Sequence, residues 1–307
     1  MNLRNLWILI ASVAAGLALP ALLGIEQPAQ ALLGRMTLQS GGVSRTALVI
    51  EHERLKKARR PVIIVLHGGK GNGGRLRRHF GLGEVSRSSG TVMIYPEAVG
   101  DGWGDRAGPA TQRDSQFIVD LVNKLVADGV ADRHRIFIVG ASSGGLIAMR
   151  LACEHAEIFS GAVAILAGLP ADLGQTCHPA RSIRFMLIAG TADPLVPFRG
   201  GRTSLPGSTT ELLGANETLA VFGKANGCTD GKMTIAVPDR DPKDGTRVFL
   251  DKLKGCKAPV ELVRIEGGGH AIPGHWASGL RNETTGPRNN DVDTAALIWD
   301  FFRRAGS

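Results

Sequence analysis

Tyrosine is almost missing from this chain: Tyr95 is the only one in 307 residues, and aromatics make up 5%. Long apolar runs are missing too, apart from one at the start between Leu6 and about Ile25. No later segment approaches the roughly 20 apolar residues needed to span a bilayer, so stable membrane insertion of the remaining chain is not expected. Cysteine is scarce, at four, and no two stand as C-x-x-C, which argues against a structural zinc site. No Cys follows the early apolar run, which excludes a lipid-modified N-terminal Cys. Acidic charge is in deficit: 28 Asp and Glu face 36 Lys and Arg, for a net charge of +8. That balance alone would admit nucleic acid, an anionic surface or an acidic polymer. The basic residues are scattered, however. The densest groups, Arg54 to Arg60 and Arg75 to Arg78, have no interleaved aromatics and read as solvated faces; no nucleic-acid partner is expected.

What is present begins with a leader. Arg4 precedes the apolar run, and Pro28-Ala29-Gln30-Ala31 offers a small-x-small cleavage site. Residues 1–31 therefore read as a secretory signal peptide, with an uncleaved anchor as the alternative. Residues 32–307 are expected to form a single domain, secreted or periplasmic. An even count of Cys in an exported chain favours two disulfides. Of the three possible pairings, sequence neighbours are the expectation, Cys153 with Cys177 and Cys228 with Cys256.

The mature chain alternates β-type and helix-type runs. Strands are expected at Thr46 to Glu51, Val62 to Leu66, Val92 to Tyr95, Arg135 to Val139, Ala162 to Leu166, Phe185 to Ala189 and Val260 to Ile265. Helical spacing marks Asp114 to Leu125, Gly145 to His155 and Ala295 to Arg303. Continuous runs such as Val62-Ile63-Ile64-Val65-Leu66 suit strands buried on both faces. The alternation implies an α/β fold: a mostly parallel, doubly wound sheet with helices on both faces. Residues 200–255 are poor in such signals and read as a loop-rich insertion.

Three segments after strands carry chemistry. Gly140-Ala141-Ser142-Ser143-Gly144 lies between a strand and a helix, the context of a nucleophile elbow. Ser142 is the expected nucleophile, with Ser143 as rival. A hydroxyl needs a base, and the base needs a group that fixes its tautomer. Asp193, in Gly190-Thr191-Ala192-Asp193-Pro194, and His270, after Gly267-Gly268-Gly269, both follow strands in the chain order Ser, Asp, His. His275 is the rival base. His67-Gly68-Gly69-Lys70 follows an early strand. Its expected role is to give one oxyanion donor, the Gly69 amide (Lys70 as rival), beside the Ser143 amide; His67 is expected to brace the loop. Trp103 reads equally as a candidate substrate wall or as a half-buried packer of its loop, and Trp276 is similar. No metal or organic cofactor is required.

These residues together resemble a family of secreted esterases. It includes polyhydroxybutyrate depolymerase-like proteins, feruloyl esterases and acetylxylan esterases (carbohydrate esterase family one). The resemblance rests on Val65 to Gly69, Tyr95-Pro96-Glu97, Val139 to Gly145, Arg150 to Glu154, Thr191 to Phe198, Asn226-Gly227-Cys228 and Gly267 to Gly274. It implies the α/β-hydrolase fold and hydrolysis of hydroxyalkanoate, feruloyl or acetyl esters through an acyl-enzyme on Ser142, Asp193 and His270. Ile272 stands where the family often has Trp, and Ser143 where it often has Asn, so the ester stays open. No separate polymer-binding module is seen, so small or oligomeric ester substrates are expected. A serine peptidase of the same fold and an inactive binding protein remain the alternatives.

Overall fold

The computed structural model describes residues 31–52, 59–100, 102–104, 107–204, 210–274 and 284–304. The expected signal peptide lies outside them except for Ala31. The chain opens with a hairpin, β1 (Ala31–Ser40) and β2 (Val43–His52), and continues with β3 (Arg60–Leu66), α1 (Gly73–His79), α2 (Leu82–Ser89) and β4 (Val92–Pro96). Then follow α3 (Pro109–Ala127), β5 (Ala131–Ala141), α4 (Ser143–Glu154), β6 (Gly161–Ile165) and β7 (Arg184–Gly190). A short pair, β8 (Gly200–Arg202) and β9 (Glu211–Leu213), precedes α5 (Ala215–Ala225). The last elements are β10 (Thr229–Ala236), β11 (Arg247–Lys254), β12 (Val260–Glu266) and α6 (Thr294–Arg303).

Ten strands form one sheet in the order β1-β2-β4-β3-β5-β6-β7-β12-β11-β10. The six from β4 to β12 are mutually parallel, and antiparallel strands extend both ends. The parallel strands have apolar side chains on both faces because helices cover both. Val62, Ile64 and Ile138 pack with α3, α4 and α5 on one side. Ile63, Val65 and Phe137 pack with α2 and α6 on the other. In α3, Pro109 starts the helix where its missing N–H costs nothing, and Phe117, Ile118, Leu121, Val122 and Leu125 form the buried stripe.

The stretch 200–255 differs from the loop-rich reading. It holds α5 and both strands of the β10–β11 extension of the main sheet. Its strand pattern is weak because β10 is an edge whose described side chains, polar and apolar alike, are exposed. The disulfides join Cys153 to Cys177 and Cys228 to Cys256, tying the end of α4 to the loop before β7, and the start of β10 to the loop after β11.

Candidate active site

Three parallel strands end at one place. β5 ends at Ala141, and Ser142 makes the turn into α4 with φ 53° and ψ −123°, a positive φ that non-glycine residues rarely adopt. The turn closes so tightly that its neighbours must be small. A Cβ on Gly140 would run into the Gly144 carbonyl, and one on Gly144 into the His67 carbonyl. The Ser142 amide is held by the Ile165 carbonyl at 2.8 Å. The strain therefore points one hydroxyl out of the strand-to-helix junction.

β7 ends at Gly190 and leads to Asp193. The carboxylate is buried, with Oδ1 accepting from the amides of Leu195 and Val196 at 2.8 Å each. Oδ2 accepts from Nδ1 of His270 at 2.7 Å. β12 ends at Glu266, and the glycine run carries the chain back over β7. A Cβ on Gly269 would strike the Thr285 carbonyl, and one on Gly190 the Gly268 carbonyl. The His270 amide is pinned by the Thr285 carbonyl at 2.6 Å. Because Asp193 can only accept, it places the imidazole proton on Nδ1 and leaves Nε2 as an acceptor. Nε2 stands 3.1 Å from the Ser142 hydroxyl. Residues 142, 193 and 270 thus form one hydrogen-bonded chain, and Ser143 does not take the place of Ser142 in it. His275 and Trp276 lie outside the described residues.

The His67 loop packs directly on the nucleophile. The position of a Cβ on Gly68 would be 3.2 Å from the Ser142 Cβ, and one on Gly69 3.8 Å from the Ser143 Oγ. His67 is buried and acts as a brace: its Nδ1 donates to the Gly68 carbonyl at 2.8 Å, and its Nε2 accepts from the Ala98 amide at 3.2 Å.

Of the two readings of Trp103, its surroundings favour the loop packer over the substrate wall. It is only 4% exposed, its indole N–H donates to the His67 carbonyl at 2.8 Å, and its ring sits 5.2 Å from that of His67. A ring so enclosed braces the loop beneath it. Behind it, Asp114 accepts from the Gly104 amide at 2.8 Å and pairs with buried Arg45 at 2.8 Å, while Arg45 lies over Phe117. Sequence reasoning missed this support. Asp114 and Arg45 fall among ordinary surface-type charges in helix and strand patterns, and only tertiary contact marks them. Among the described residues no group of His, Cys, Asp and Glu could hold a metal ion.

With this geometry in view, the chain can be set beside known proteins. Residues 46–196 match the family model described as Esterase PHB depolymerase. A protein named as an esterase, NocK, from Nocardia uniformis subsp. tsuyamanensis is 30% identical over 258 residues, covering 79% of this chain and 74% of that protein. The chain belongs to the PHB depolymerase esterase family. It is a carboxylic ester hydrolase. A feruloyl esterase C from Emericella nidulans is 27% identical to this esterase over 237 residues, covering 76% of this chain and 72% of that one. Among solved structures, the acetyl xylan esterase from Aspergillus awamori superposes with a TM-score of 0.58 at 14% identity, covering 78% of this chain and 94% of that one. That likeness shows the shared α/β-hydrolase fold. Both disulfides are consistent with an extracytoplasmic esterase, and no helix among the described residues is long and apolar enough to cross a membrane.

Proposed function

We propose that the chain is a secreted serine esterase acting through an acyl-enzyme on Ser142, with residues 1–31 removed on export. The observation that carries this reading is the unbroken hydrogen-bonded chain from Asp193 through His270 to Ser142. Ser142 Oγ attacks the ester carbonyl carbon as its proton passes to His270 Nε2. The carbonyl electron pair becomes an oxyanion, received by the amides of Ser143 and Gly69. The carbon–oxygen bond to the alcohol then breaks, and the departing oxygen takes the proton from Nε2. Water repeats the cycle: it loses a proton to Nε2, attacks the acyl carbon and releases the carboxylic acid as Ser142 recovers its proton. Asp193 holds the imidazole in place and supports its positive charge in both halves.

The substrate class we favour is hydroxyalkanoate oligomers, feruloyl esters or acetyl esters, in keeping with the names of the family and of the similar proteins. Wild-type protein should take up a fluorophosphonate probe and Ser142→Ala should not. Absence of labelling in the wild type, or labelling retained in the variant, would overturn the assignment. Side-by-side hydrolysis of hydroxybutyrate oligomers, methyl ferulate and acetylated xylan then selects among the esters.

A further inference from the structure

The end of the sheet remote from Ser142 holds a cavity of its own. A cavity of about 420 Å3 opens where β3, β5, β6 and β7 begin, between those strand ends and α6. That volume lies within the range of small-molecule sites. Arg135, in its wall, and Ser142 are seven residues apart, β5 ending at Ala141. The separation is roughly 23 Å at a strand rise of ~3.3 Å per residue.

The wall of this cavity is cationic and its floor is aromatic. Four guanidinium groups line it, from Arg135, Arg181, Arg184 and Arg303, and no acidic side chain does. Arg135 and Arg303 each have a carboxylate partner outside the cavity, Asp132 and Asp300. Arg181 and Arg184 form no ion pair among the described residues. Arg181 donates to the carbonyls of Ala156 and Phe159, and Arg184 to the carbonyl of Arg304. Burial and the charge of Arg304 push the Arg184 guanidinium below its ordinary value, with Glu261 offsetting part of the effect. The floor is made by Trp299, half-buried on α6, and by Phe302 stacked on Phe137 with ring centres 4.4 Å apart.

We propose that this cavity binds an aromatic carboxylate, its carboxylate held by Arg181 and Arg184 and its ring laid on the half-buried Trp299, which the buried Phe302 backs. A guanidinium fork matches a carboxylate with two parallel hydrogen bonds. Two forks without carboxylate partners beside a half-buried indole ask for one negative group on a flat apolar body. Ser160, Ser182 and His134 add polar atoms to the wall, but its charge comes from the four guanidinium groups, which favour an anion over a neutral polyhydroxylated ligand. Ester hydrolysis releases carboxylates, so the site faces a class of molecule that this enzyme class produces, yet it lies too far from Ser142 to compete with substrate.

The test is calorimetric titration of the full-length protein with 2-naphthoate, followed in parallel by tryptophan fluorescence. The controls are 2-naphthylmethanol, which keeps the ring without the charge, sulfate, which keeps the charge without the ring, and a uronate disaccharide. Naphthoate should bind one site and quench fluorescence, and Trp299→Phe should remove the quench. Arg184→Gln should weaken binding about tenfold or more. Arg181 is exposed, so Arg181→Gln gives the same readout without disturbing the core; thermal melts verify that both variants fold. Ser142→Ala should bind naphthoate as the wild type does, which separates this cavity from the active site whatever becomes of the esterase mechanism. No saturable binding up to about 10 mM, or equal binding in both arginine variants, overturns the proposal. So does sulfate or the uronate binding as tightly as naphthoate, which would leave only an anion patch or a sugar site.

Discussion

Single side chains decide the reactivity of this site. Asp193 accepts three hydrogen bonds, two from its own loop and one from His270, so it cannot turn away from the imidazole without stranding two amides. Trp103 does comparable work one step back, through the N–H it gives to the His67 carbonyl. Trp103→Phe keeps most of the ring and deletes that donor, leaving a buried carbonyl without its partner, a loss of about 1–3 kcal/mol. Because the loop carries the proposed Gly69 donor, kcat on p-nitrophenyl acetate should fall by roughly tenfold with KM changed less than about twofold. An equal fall in Trp103→Ala and Trp103→Phe would identify the N–H as the active feature; unchanged kcat in the phenylalanine variant would remove Trp103 from the positioning machinery. The sequence pointed to Trp103 as a site residue through its Gly-Trp-Gly setting. It could not tell a wall from a brace, since both use an aromatic beside the active-site loop.

At the scale of elements, the β10–β11 extension depends on Asp251. This fully buried carboxylate on β11 accepts from Thr234 and Lys232 on β10 and from Arg264 on β12. Burial alone would raise its pKa, but the hydrogen bonds from Thr234 and Arg264 and the charge of Lys232 outweigh that and hold it below the ordinary carboxylate value. A depressed folded-state pKa contributes stability above the unfolded value, near 4, and loses it as pH falls through the folded value. Asp251→Asn should therefore cost about 1–3 kcal/mol in urea unfolding at pH 7, with the gap to wild type closing only well below about pH 4. The same strands are tied by Cys228–Cys256. Replacing both cysteines by Ser should lower stability by about 3 kcal/mol while leaving p-nitrophenyl acetate turnover within about twofold, since the bond anchors an edge far along the sheet order from β5. Of these features only the cysteines were legible in the sequence. An acid among strand residues gives no sign of which neighbours it will meet.

The whole molecule is organised around one sheet that runs from the first described strand to β12, with strands next to each other that are far apart in the chain: β4 beside β2, and β12 beside β7. The β3–β5 pair, which joins its earlier strands to its later ones, lies inside that sheet between strands whose apolar side chains are buried on both faces. Unfolding should therefore follow one transition, with far-ultraviolet circular dichroism and tryptophan fluorescence coinciding. Ile138→Ala, in the fully buried centre of β5, should shift both probes together and cost about 2–5 kcal/mol. Separate transitions would show that the chain holds more than one folding unit.

The sequence by itself determined the central strands, three of the helices that cover them (α3, α4 and α6), the elbow at Ser142 and the strand-end positions of Asp193 and His270. Those features follow from local patterns: β-branched runs that must be buried on both faces, and small residues around Ser142 at a strand-to-helix turn, where a Cβ on Gly140 would meet the Gly144 carbonyl. Tertiary structure alone decided that Trp103, Asp114 and Arg45 stand behind the loop that His67 was expected to brace, that residues 200–255 extend the sheet, and that four arginines gather at its far end. Each depends on which side chains meet across strands paired out of chain order, and no local pattern encodes that.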